Sequence, residues 1–272
     1  KDIELNDTKI KASVNYPMIN LNDEIEECAG WEFEFGSRIL QTNTREEFMK
    51  TLAFARIIGY LITDGHVNSK TKIANLFLGH ILDVESILKD IELFCEIKQT
   101  NFNLKNLYIV RIPTGLKNDI IQLPGLISGR KVNQPGKLPD FILDEKCPRP
   151  IVREFIAGMF GGDGHTCVLG MHRGKRDILS SVSFSKTKTY EHRESLQKMF
   201  EDIQKLLTKC GIHNTTIQKP KETSSSKHKF QGKEKLDNSG RSFQLTLHLP
   251  IEQLITFSEK IGFRYCCHKT QR

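Results

Sequence analysis

Two acidic residues stand at matching places in a string that occurs twice in this 272-residue sequence. The first copy is IIGYLITDG (57–65) and the second is IAGMFGGDG (156–164). Each copy ends in Asp-Gly, and the two acids, Asp64 and Asp163, lie 99 residues apart, about the size of a small domain. Two carboxylates brought together would form a site for a divalent cation, since hard cations prefer oxygen ligands. The repeat therefore predicts two similar half-domains with one acid each.

The residues around each acid predict a helix that ends there. Upstream of the first copy, Thr44 and Glu47 have the spacing of a capping box, and apolar residues then recur at three- and four-residue steps. Upstream of the second copy, Pro150 suits the first turn of a helix. Gly65 and Gly164 follow the acids, and we expect them to end the helices in the left-handed conformation that glycine tolerates.

Small residues suggest how the two helices meet. Gly59 and Gly158 occupy the same position in the two copies, and each has a small residue four positions away on the same helix face, Ala55 and Gly162 respectively. Small residues at this spacing let two backbones approach closely. Because a mid-helix glycine costs about 0.5–1 kcal/mol relative to alanine, we expect a helix–helix contact at Gly59 and Gly158 to compensate.

In these residues the sequence resembles the LAGLIDADG, or dodecapeptide, homing endonuclease family in its monomeric two-repeat form. The resemblance covers roughly residue 44 to the C-terminus and implies that the two motif helices pack side by side. It also implies that Asp64 and Asp163 bind the catalytic metal, together with the backbone carbonyls of Thr63 and Gly162. The cofactor it implies is Mg²⁺, with Mn²⁺ able to replace it.

The resemblance further implies a lysine near each active site, at the end of each repeat. Lys137, in the setting Lys-Leu-Pro, matches the first position. For the second position Lys269 is favoured, with Lys260 as the competitor. Such lysines would position water and neutralise the charge that develops on a phosphate during hydrolysis.

Periodicity between the motifs predicts an α+β fold of two pseudo-symmetric αββαββα half-domains. The predicted divisions are an acidic appendage or linker (1–43), a first repeat (44–147) and a second repeat (148–272) with a mobile loop (220–240). Hairpins are predicted to pair 167–171 with 178–184, and 215–219 with 242–249. We expect the motif helices at the interface between the halves and the antiparallel sheets to curve into a DNA-binding saddle.

The net charge of +7 is unevenly distributed. Residues 1–48 carry 5 Lys/Arg against 11 Asp/Glu, whereas residues 165–241 carry 16 against 8. This basic excess indicates a polyanion-binding face. The segment 242–249 alternates polar and apolar residues, so one face can pack on helices while the other contacts base edges in the major groove. The side chains predicted to contact double-stranded DNA are Asn75, Asn103, Lys105, Arg111, Arg173, Lys175, Arg176, Ser183, Gln218, Lys219, Gln244, Thr246 and His248.

Other features restrict the class of protein. No run approaches 18 apolar residues, so no transmembrane helix and no membrane partner are expected. The seven cysteines are widely spaced without a CxxC pair, which indicates reduced thiols. Neither Cys266-Cys267-His268 nor Cys210-x-x-His213 has the second matched pair of a zinc site. We expect an intracellular monomer, nuclear if the host is a eukaryote.

The combined prediction is a homing endonuclease that makes a double-strand break in a long non-palindromic DNA target by metal-dependent phosphodiester hydrolysis. One acid per half would cut each strand once, and unequal halves imply unequal half-sites. The ending IGFRYCCHKTQR resembles endonucleases embedded in inteins, although the chain lacks a terminal His-Asn and begins with Lys1. A catalytically inactive DNA-binding regulator or an RNA maturase with the same fold is the alternative.

Overall fold

The computed structural model describes residues 21–96, 101–104, 107–172, 175–223, 228–230, 233–235 and 242–270. Ahead of the first repeat lie α1 (Leu21–Glu27), β1 (Glu32–Phe35) and β2 (Arg38–Gln41). The first repeat comprises α2 (Arg45–Asp64), β3 (Gly65–Asn68), β4 (Ile73–Leu78), α3 (Ile81–Glu92), β5 (Asn101–Leu104), β6 (Leu107–Arg111), α4 (Thr114–Ile121) and α5 (Asp140–Leu143). The second repeat comprises α6 (Arg149–Asp163), β7 (Gly164–His165), β8 (Leu169–His172), β9 (Lys175–Leu179), β10 (Ser183–Thr189), α7 (Arg193–Lys209), β11 (Thr216–Ile217), β12 (Lys221–Thr223), β13 (His228–Phe230), β14 (Lys233–Lys235), β15 (Ser242–His248), α8 (Leu254–Lys260) and α9 (Cys267–Thr270).

The two motif helices, α2 and α6, end at the repeated aspartates as the sequence predicts. The capping box of α2 is formed in both directions: Glu47 N donates to the Thr44 hydroxyl at 3.2 Å, and Thr44 N donates to the Glu47 carboxylate at 3.0 Å. Pro150 lies in the first turn of α6, where its missing N–H removes no helical hydrogen bond.

The glycines after the aspartates do not adopt the predicted left-handed conformation. Gly65 has φ −120° and Gly164 has φ −71°, so the chain passes from helix directly into an extended strand. Glycine is needed there for space. A Cβ on Gly65 would lie 2.4 Å from Leu61 Cδ1, and one on Gly164 would lie 2.4 Å from the Phe160 carbonyl oxygen.

Gly59 and Gly158 lie where the two motif helices touch. A Cβ on Gly59 would lie 2.1 Å from the Phe155 carbonyl oxygen, and one on Gly158 would lie 2.2 Å from the Arg56 carbonyl oxygen. These separations are far below van der Waals contact, so the two backbones meet with no room for any side chain at either position. The contact fixes the axial position of one motif helix against the other.

Each motif helix leads into an antiparallel sheet. The first sheet has the order β3-β4-β6-β5, and the second has the order β11-β15-β10-β7 with β12 also paired to β15. In the first sheet Gly65 lies opposite Leu76, and in the second Gly164 lies opposite Phe184. By this register β3 corresponds to β7 and β4 to β10. The α+β prediction is confirmed.

One predicted hairpin is confirmed and the other is confirmed in part. Strand β11 pairs with β15, as predicted for 215–219 and 242–249. Of the predicted pairing of 167–171 with 178–184, Leu169 lies opposite Leu179 and Gly170 opposite Ile178, but the last predicted residues belong to β10, which begins at Ser183 and pairs with β7 and β15 instead. Ser180 N donates to the Val168 carbonyl at 2.9 Å and closes the β8–β9 hairpin, so one apolar stretch supplies two strands. Within the predicted loop 220–240, β12 pairs with β15 and β13 with β14. The rest of that loop lies outside the described residues.

The described end of the predicted appendage, residues 21–43, packs into the core. Trp31, Phe35 and Leu40 are buried in the same hydrophobic cluster as the motif helices. Two of its acidic residues pair with arginines of α6. Glu24 forms an ion pair with the buried Arg153, and Glu27 forms one with Arg149, so part of the negative charge of this segment holds it against the second motif helix.

The core lies between the motif helices and the sheets. Phe160 of α6 packs against Phe184 of β10, with ring centroids 5.4 Å apart, and against Phe257 of α8 at 5.1 Å. All three rings are fully buried, and each contributes about 1.5–3 kcal/mol to folding through the hydrophobic effect. This packing holds the end of α6 against its sheet. Among the described residues, no helix is long and apolar enough to cross a membrane.

Candidate functional site

The carboxylates of Asp64 and Asp163 lie at adjoining ends of the two motif helices. Both line one groove together with Lys269, Ser185 and Gln244. Burial raises the pKa of Asp64, and the charge of Asp163 raises it further. The charge of Asp163 therefore makes ionisation of Asp64 less favourable. A cation bound by both carboxylates would offset their loss of hydration and their mutual repulsion.

A partly buried lysine binds the last carbonyls of each motif helix. Lys131 Nζ donates to the carbonyl oxygens of Leu61 at 2.8 Å and Thr63 at 2.7 Å. Lys269 Nζ donates to the carbonyl oxygens of Gly161 and Gly162, both at 2.6 Å, and to that of Phe160 at 3.3 Å. Phe160 and Gly162 correspond in the repeat to Leu61 and Thr63. Each ammonium satisfies carbonyls that a helix end leaves without partners and offsets the negative end of the dipole.

Lys131 was missed by the sequence, which pointed to Lys137 instead. Lys137 is half exposed and pairs with Asp140 at 3.0 Å, whereas Lys131 makes the contacts that match those of Lys269. A turn at Gly129 (φ +113°), whose N–H donates to the Val67 carbonyl at 2.8 Å, brings Lys131 back to α2. The local sequence Ser-Gly-Arg-Lys carries no pattern that would have revealed this return.

Lys269 rather than Lys260 lies at the second helix end. The Lys260 ammonium lies beside Gly211, 3.4 Å from where a Cβ on that glycine would be. Gly211 follows α7, away from the Asp163 end of α6. Of the two candidates, Lys269 is therefore the one at the helix end, and a catalytic role for it stays a prediction.

Two further lysines at the site were also missed by the sequence. Lys186 of β10 forms an ion pair with the Asp163 carboxylate, and its ammonium lies 3.4 Å from the Ile62 carbonyl oxygen. Lys188 donates to the Lys131 carbonyl oxygen. Burial lowers the pKa of Lys131 to about 7 and that of Lys188 to about 8, with the neighbouring Lys186 charge adding to both. Alternate residues of a strand share a face, so Lys186 and Lys188 lie on the inward face of β10 with Phe184. This alternation could have revealed both lysines.

The position of Lys269 depends on residues 264–270, which we term the C-terminal strap. Arg264 N donates to the Ala157 carbonyl in α6 at 3.0 Å. Further along, the Tyr265 hydroxyl donates to Asp90, and Cys267 N donates to Asp83 at 2.7 Å. Asp83 and Asp90 belong to α3 of the first repeat, so the strap runs from the second motif helix to the first half of the molecule.

Buried charges link the same elements in the interior. Arg56 donates to Asp90 at 2.7 Å and to Glu154 at 3.1 Å, and Arg264 donates to Glu154 at 2.9 Å. Burial alone would raise the pKa of Glu154, but the guanidinium groups of Arg264 and Arg56 hold it well below its ordinary value. Glu154 is therefore charged, and it joins both motif helices to the strap.

The predicted DNA-contacting residues divide between the two sheets. In the second sheet Ser183 lies opposite His248, and Thr246 lies opposite Ser185 with their hydroxyls 2.9 Å apart. Gln244 lines the groove above the aspartates. Gln218 joins this sheet through its N–H, which donates to the Thr246 carbonyl at 2.8 Å.

In the first sheet Asn75 lies opposite Arg111, and both line a depression with Lys72 and Lys117. Lys219 lies in the short segment between β11 and β12. The structure describes only the backbone of Asn103, Lys175 and Arg176, and Lys105 and Arg173 lie outside the described residues.

The cysteines are free thiols, as the sequence indicated. Cys266 Sγ lies 3.4 Å from His268 Nδ1. In the part of the chain that the structure describes, no group of three or more His, Cys, Asp or Glu residues is arranged to hold a metal ion. A thiolate zinc site is therefore not formed there.

Comparison with known proteins identifies the second repeat and shows where similar segments occur. Residues 150–262 match the model of the LAGLIDADG-like domain family. The tRNA-splicing ligase RtcB of Methanopyrus kandleri is 26% identical over 183 residues, which are 61% of this chain and 18% of that protein. The replication factor C small subunit of Methanocaldococcus jannaschii is 26% identical over 166 residues, 56% of this chain and 9% of that protein. The chain thus spans less than a fifth of the length of either relative.

Solved structures with similar architecture include two nucleases bound to DNA. I-DmoI in complex with DNA and Mn has 12% identity and a TM-score of 0.43, covering 78% of this chain and 97% of that one. The homing endonuclease I-WcaI bound to its DNA recognition sequence has 12% identity and a TM-score of 0.48, covering 96% and 97%. Full-length DUF199/WhiA from Thermatoga maritima has 12% identity and a TM-score of 0.44, covering 93% and 64%.

Proposed function

We propose that this chain, whose residues 150–262 match the LAGLIDADG-like domain family, is a site-specific endonuclease that cuts both strands of a DNA duplex with a divalent cation. One observation carries the proposal. Asp64 and Asp163 line a single groove at the ends of two helices in backbone contact, and a partly buried lysine binds the carbonyls at each helix end.

The donor set fits Mg²⁺, with Mn²⁺ able to replace it. The ligands on offer are the two carboxylates and the backbone oxygens of Thr63 and Gly162. Two carboxylates suit Mg²⁺, which binds through one or two carboxylates and takes its other ligands from water and substrate phosphates. A bound divalent cation would activate water and stabilise charge on the phosphate.

The chain's own residues would orient the substrate around that site. Lys131 and Lys269 hold the two helix ends in place and add positive charge where a phosphodiester becomes more negative during hydrolysis. Ser185 and Gln244 line the same groove and offer hydrogen bonds to a duplex lying in it. One carboxylate per half assigns one strand to each half, so a single chain would make the double-strand break as a monomer.

The unequal halves favour a non-palindromic target. The side chains on the first sheet, Asn75 and Arg111, differ from those on the second, Ser183, Thr246 and His248. A duplex bound across both sheets would therefore meet different hydrogen-bonding groups on its two sides, and base edges in the major groove are distinguishable by such groups.

The two curated relatives support an origin as an inserted module. A tRNA-splicing ligase and a replication factor subunit are named for different activities, yet each shares one segment with this chain over 18% and 9% of its length. A segment common to both is better explained as a mobile module within a host protein than as part of either activity. We infer that this chain is an endonuclease of the kind embedded in inteins.

The test is DNA selection followed by cleavage. Duplexes bound from a randomised library in Ca²⁺ would be sequenced, and the enriched site placed in a supercoiled plasmid. We expect linear product with Mg²⁺ and none with EDTA. Linearisation of a plasmid without the site would contradict site specificity.

A DNA-binding regulator without cleavage is the second candidate. The observation that favours it is the ion pair between Lys186 and Asp163, which places a protein cation where catalysis requires a metal. Binding to the selected site with neither nicks nor breaks in Mg²⁺ or Mn²⁺ would support this candidate. Splicing of an intron RNA without DNA binding would instead favour a maturase.

A further inference from the structure

Lys186 occupies an unusual place for a lysine. It lies on the inward face of β10 between Phe184, which is fully buried, and Lys188. Its side chain is only 13% exposed. The ammonium pairs with Asp163 of the second motif helix and lies 3.4 Å from the Ile62 carbonyl oxygen of the first. It therefore bridges the ends of both motif helices.

The first repeat has a different residue at the equivalent position. Leu76 lies opposite Gly65, and Phe184 lies opposite Gly164, so Leu76 and Phe184 correspond. Two residues further along each strand come Leu78 and Lys186. Leu78 is fully buried. A lysine thus reaches the acid of its own repeat in the second half, whereas leucine fills the same inward position in the first.

An ammonium in this place loses part of its hydration, and the Asp163 carboxylate with the Ile62 carbonyl offsets that loss. That carboxylate is the one proposed to hold a divalent cation. Because two cations at one carboxylate repel each other strongly at a separation of a few ångströms, the ammonium and the metal compete for Asp163.

We propose that Lys186 is a tethered cation that occupies the Asp163 carboxylate until a divalent metal displaces it, so that the two halves of the site load metal at different concentrations. The Asp64 half fills first and the Asp163 half second. This inference rests on the proposed use of divalent metal and adds an order of loading to it. It also reconciles the ion pair at Asp163 with catalysis, since the pair belongs to the protein before metal binds.

The test is a titration of metal-free protein with Mn²⁺, in which free Mn²⁺ is measured by electron paramagnetic resonance. For the wild type we expect two classes of site. In Lys186→Met the weaker class should tighten by about tenfold or more, the change that follows from removing one competing charge at about 1.4 kcal/mol per tenfold. Asp163→Asn should lose the weaker class, which assigns that class to this half.

Two control variants separate competition from a general loss of positive charge. Lys198→Met removes an exposed lysine on α7 that pairs with Asp202, and it should bind Mn²⁺ like the wild type. Lys186→Arg keeps the cation and should also retain the weaker class. If Lys186→Met does not fold, Lys186→Gln, which keeps a hydrogen-bond donor, is compared in the same way.

The possible results separate a failure of this inference from a failure of the proposed metal-dependent function. Unchanged Mn²⁺ affinities in folded Lys186→Met and Lys186→Gln would overturn the tethered cation while leaving the metal site intact. Weaker binding in these variants would also overturn it, since Lys186 would then assist the metal. If neither the wild type nor any variant bound Mn²⁺, the proposed metal-dependent function would fail as well.

Discussion

Within their length the two motif helices make matching contacts with each other, but the groups bound at their ends differ. In the middle, Gly59 faces the Phe155 carbonyl and Gly158 faces the Arg56 carbonyl, with ideal Cβ separations of 2.1 and 2.2 Å. At the ends, α2 is held by Lys131, while α6 is held by Lys269 with Lys186 paired to its aspartate. The close approach of two backbones constrains both copies equally. The charged groups at the helix ends are not under this steric constraint, and each half has a different set of them.

The buried charges show how the unequal halves are told apart. Arg56 corresponds in the repeat to Phe155, and Glu154 corresponds to Ala55. The Arg56–Glu154 ion pair therefore forms only when copy one packs against copy two. Two first copies would leave Arg56 with Asp90 but without Glu154, and losing one carboxylate from a buried charge network is destabilising. The symmetric glycines bring the helices together, and the asymmetric charges specify which helices.

The largest expected effect tests the aspartates, where the two ends should be equally necessary. Asp64→Asn or Asp163→Asn should lower double-strand cleavage by about 10³-fold or more, because each removes a carboxylate that holds metal worth several kcal/mol to the transition state. Affinity for the selected DNA in Ca²⁺ should be largely kept. Plasmid linearisation rates and gel-shift affinities measure both. Wild-type cleavage by either variant would contradict a shared paired-acid site.

The next effect tests the charge that distinguishes the halves. Glu154→Gln should lower the free energy of unfolding by about 3–5 kcal/mol at pH 7, since it removes the carboxylate that the buried Arg56 and Arg264 share and leaves Arg56 with Asp90 alone. The pKa of Glu154 is depressed in the folded state. Its contribution is therefore present above the ordinary carboxyl pKa of 4.5 and is lost as the pH falls below that value.

Urea denaturation at pH 7 and at pH 3 measures this change. The difference in free energy of unfolding between wild type and variant should be smaller at pH 3. Glu46→Gln is the control, because Glu46 is fully exposed and pairs only with Lys50 on the surface. That variant should unfold like the wild type. If the difference in free energy of unfolding between wild type and Glu154→Gln were the same at both pH values, the carboxylate charge would not be what stabilises the interface.

A smaller effect tests whether the lysines serve separate strands. Lys131→Met and Lys269→Met should each slow cleavage by about 10²–10³-fold, the usual cost of removing one group that stabilises transition-state charge. Because each lysine lies at one helix end, one strand should be affected more than the other and nicked plasmid should accumulate. Strand-labelled duplexes measure this. Lys137→Met, whose lysine pairs with Asp140, should cut normally; a defect equal to that of Lys131→Met would restore the original assignment.

The smallest expected effect tests the symmetric contact between the two motif helices. Gly59→Ala and Gly158→Ala should lower the free energy of unfolding by similar amounts, about 1–3 kcal/mol each, because either methyl group overlaps a carbonyl of the other helix. Gly79→Ala is the matched control, since a Cβ there meets nothing within 4 Å. Thermal unfolding of the three variants gives the comparison. Strongly unequal effects at Gly59 and Gly158 would show that the helix contact is not symmetric.

The sequence predicted the parts of this molecule that repeat. The motif helices, their aspartates and the contact glycines recur in two copies, and strand β4 follows from local alternation. The missed residues are those that act at long range. Lys131 reaches α2 only because a glycine turn returns the chain to that helix, and Lys186 reaches Asp163 only through the register of β10. No local pattern encodes the return of Lys131, and the alternation that places Lys186 on the inward face does not identify its partner. The acidic composition before residue 44 suggested an appendage because the ion pairs of Glu24 and Glu27 form with arginines more than 100 residues away.

The C-terminal strap has a consequence for the order in which the protein becomes competent during its synthesis. Asp163 and the second motif helix leave the ribosome about a hundred residues before Tyr265, Cys267 and Lys269, and Asp64 and the first motif helix about two hundred residues before them. Until those residues emerge, α3 lacks the partners that Asp83 and Asp90 find in the strap, and the α6 end lacks its lysine. A nascent chain would thus carry the acids without a finished site. Chains that terminate early would be unable to cut both strands.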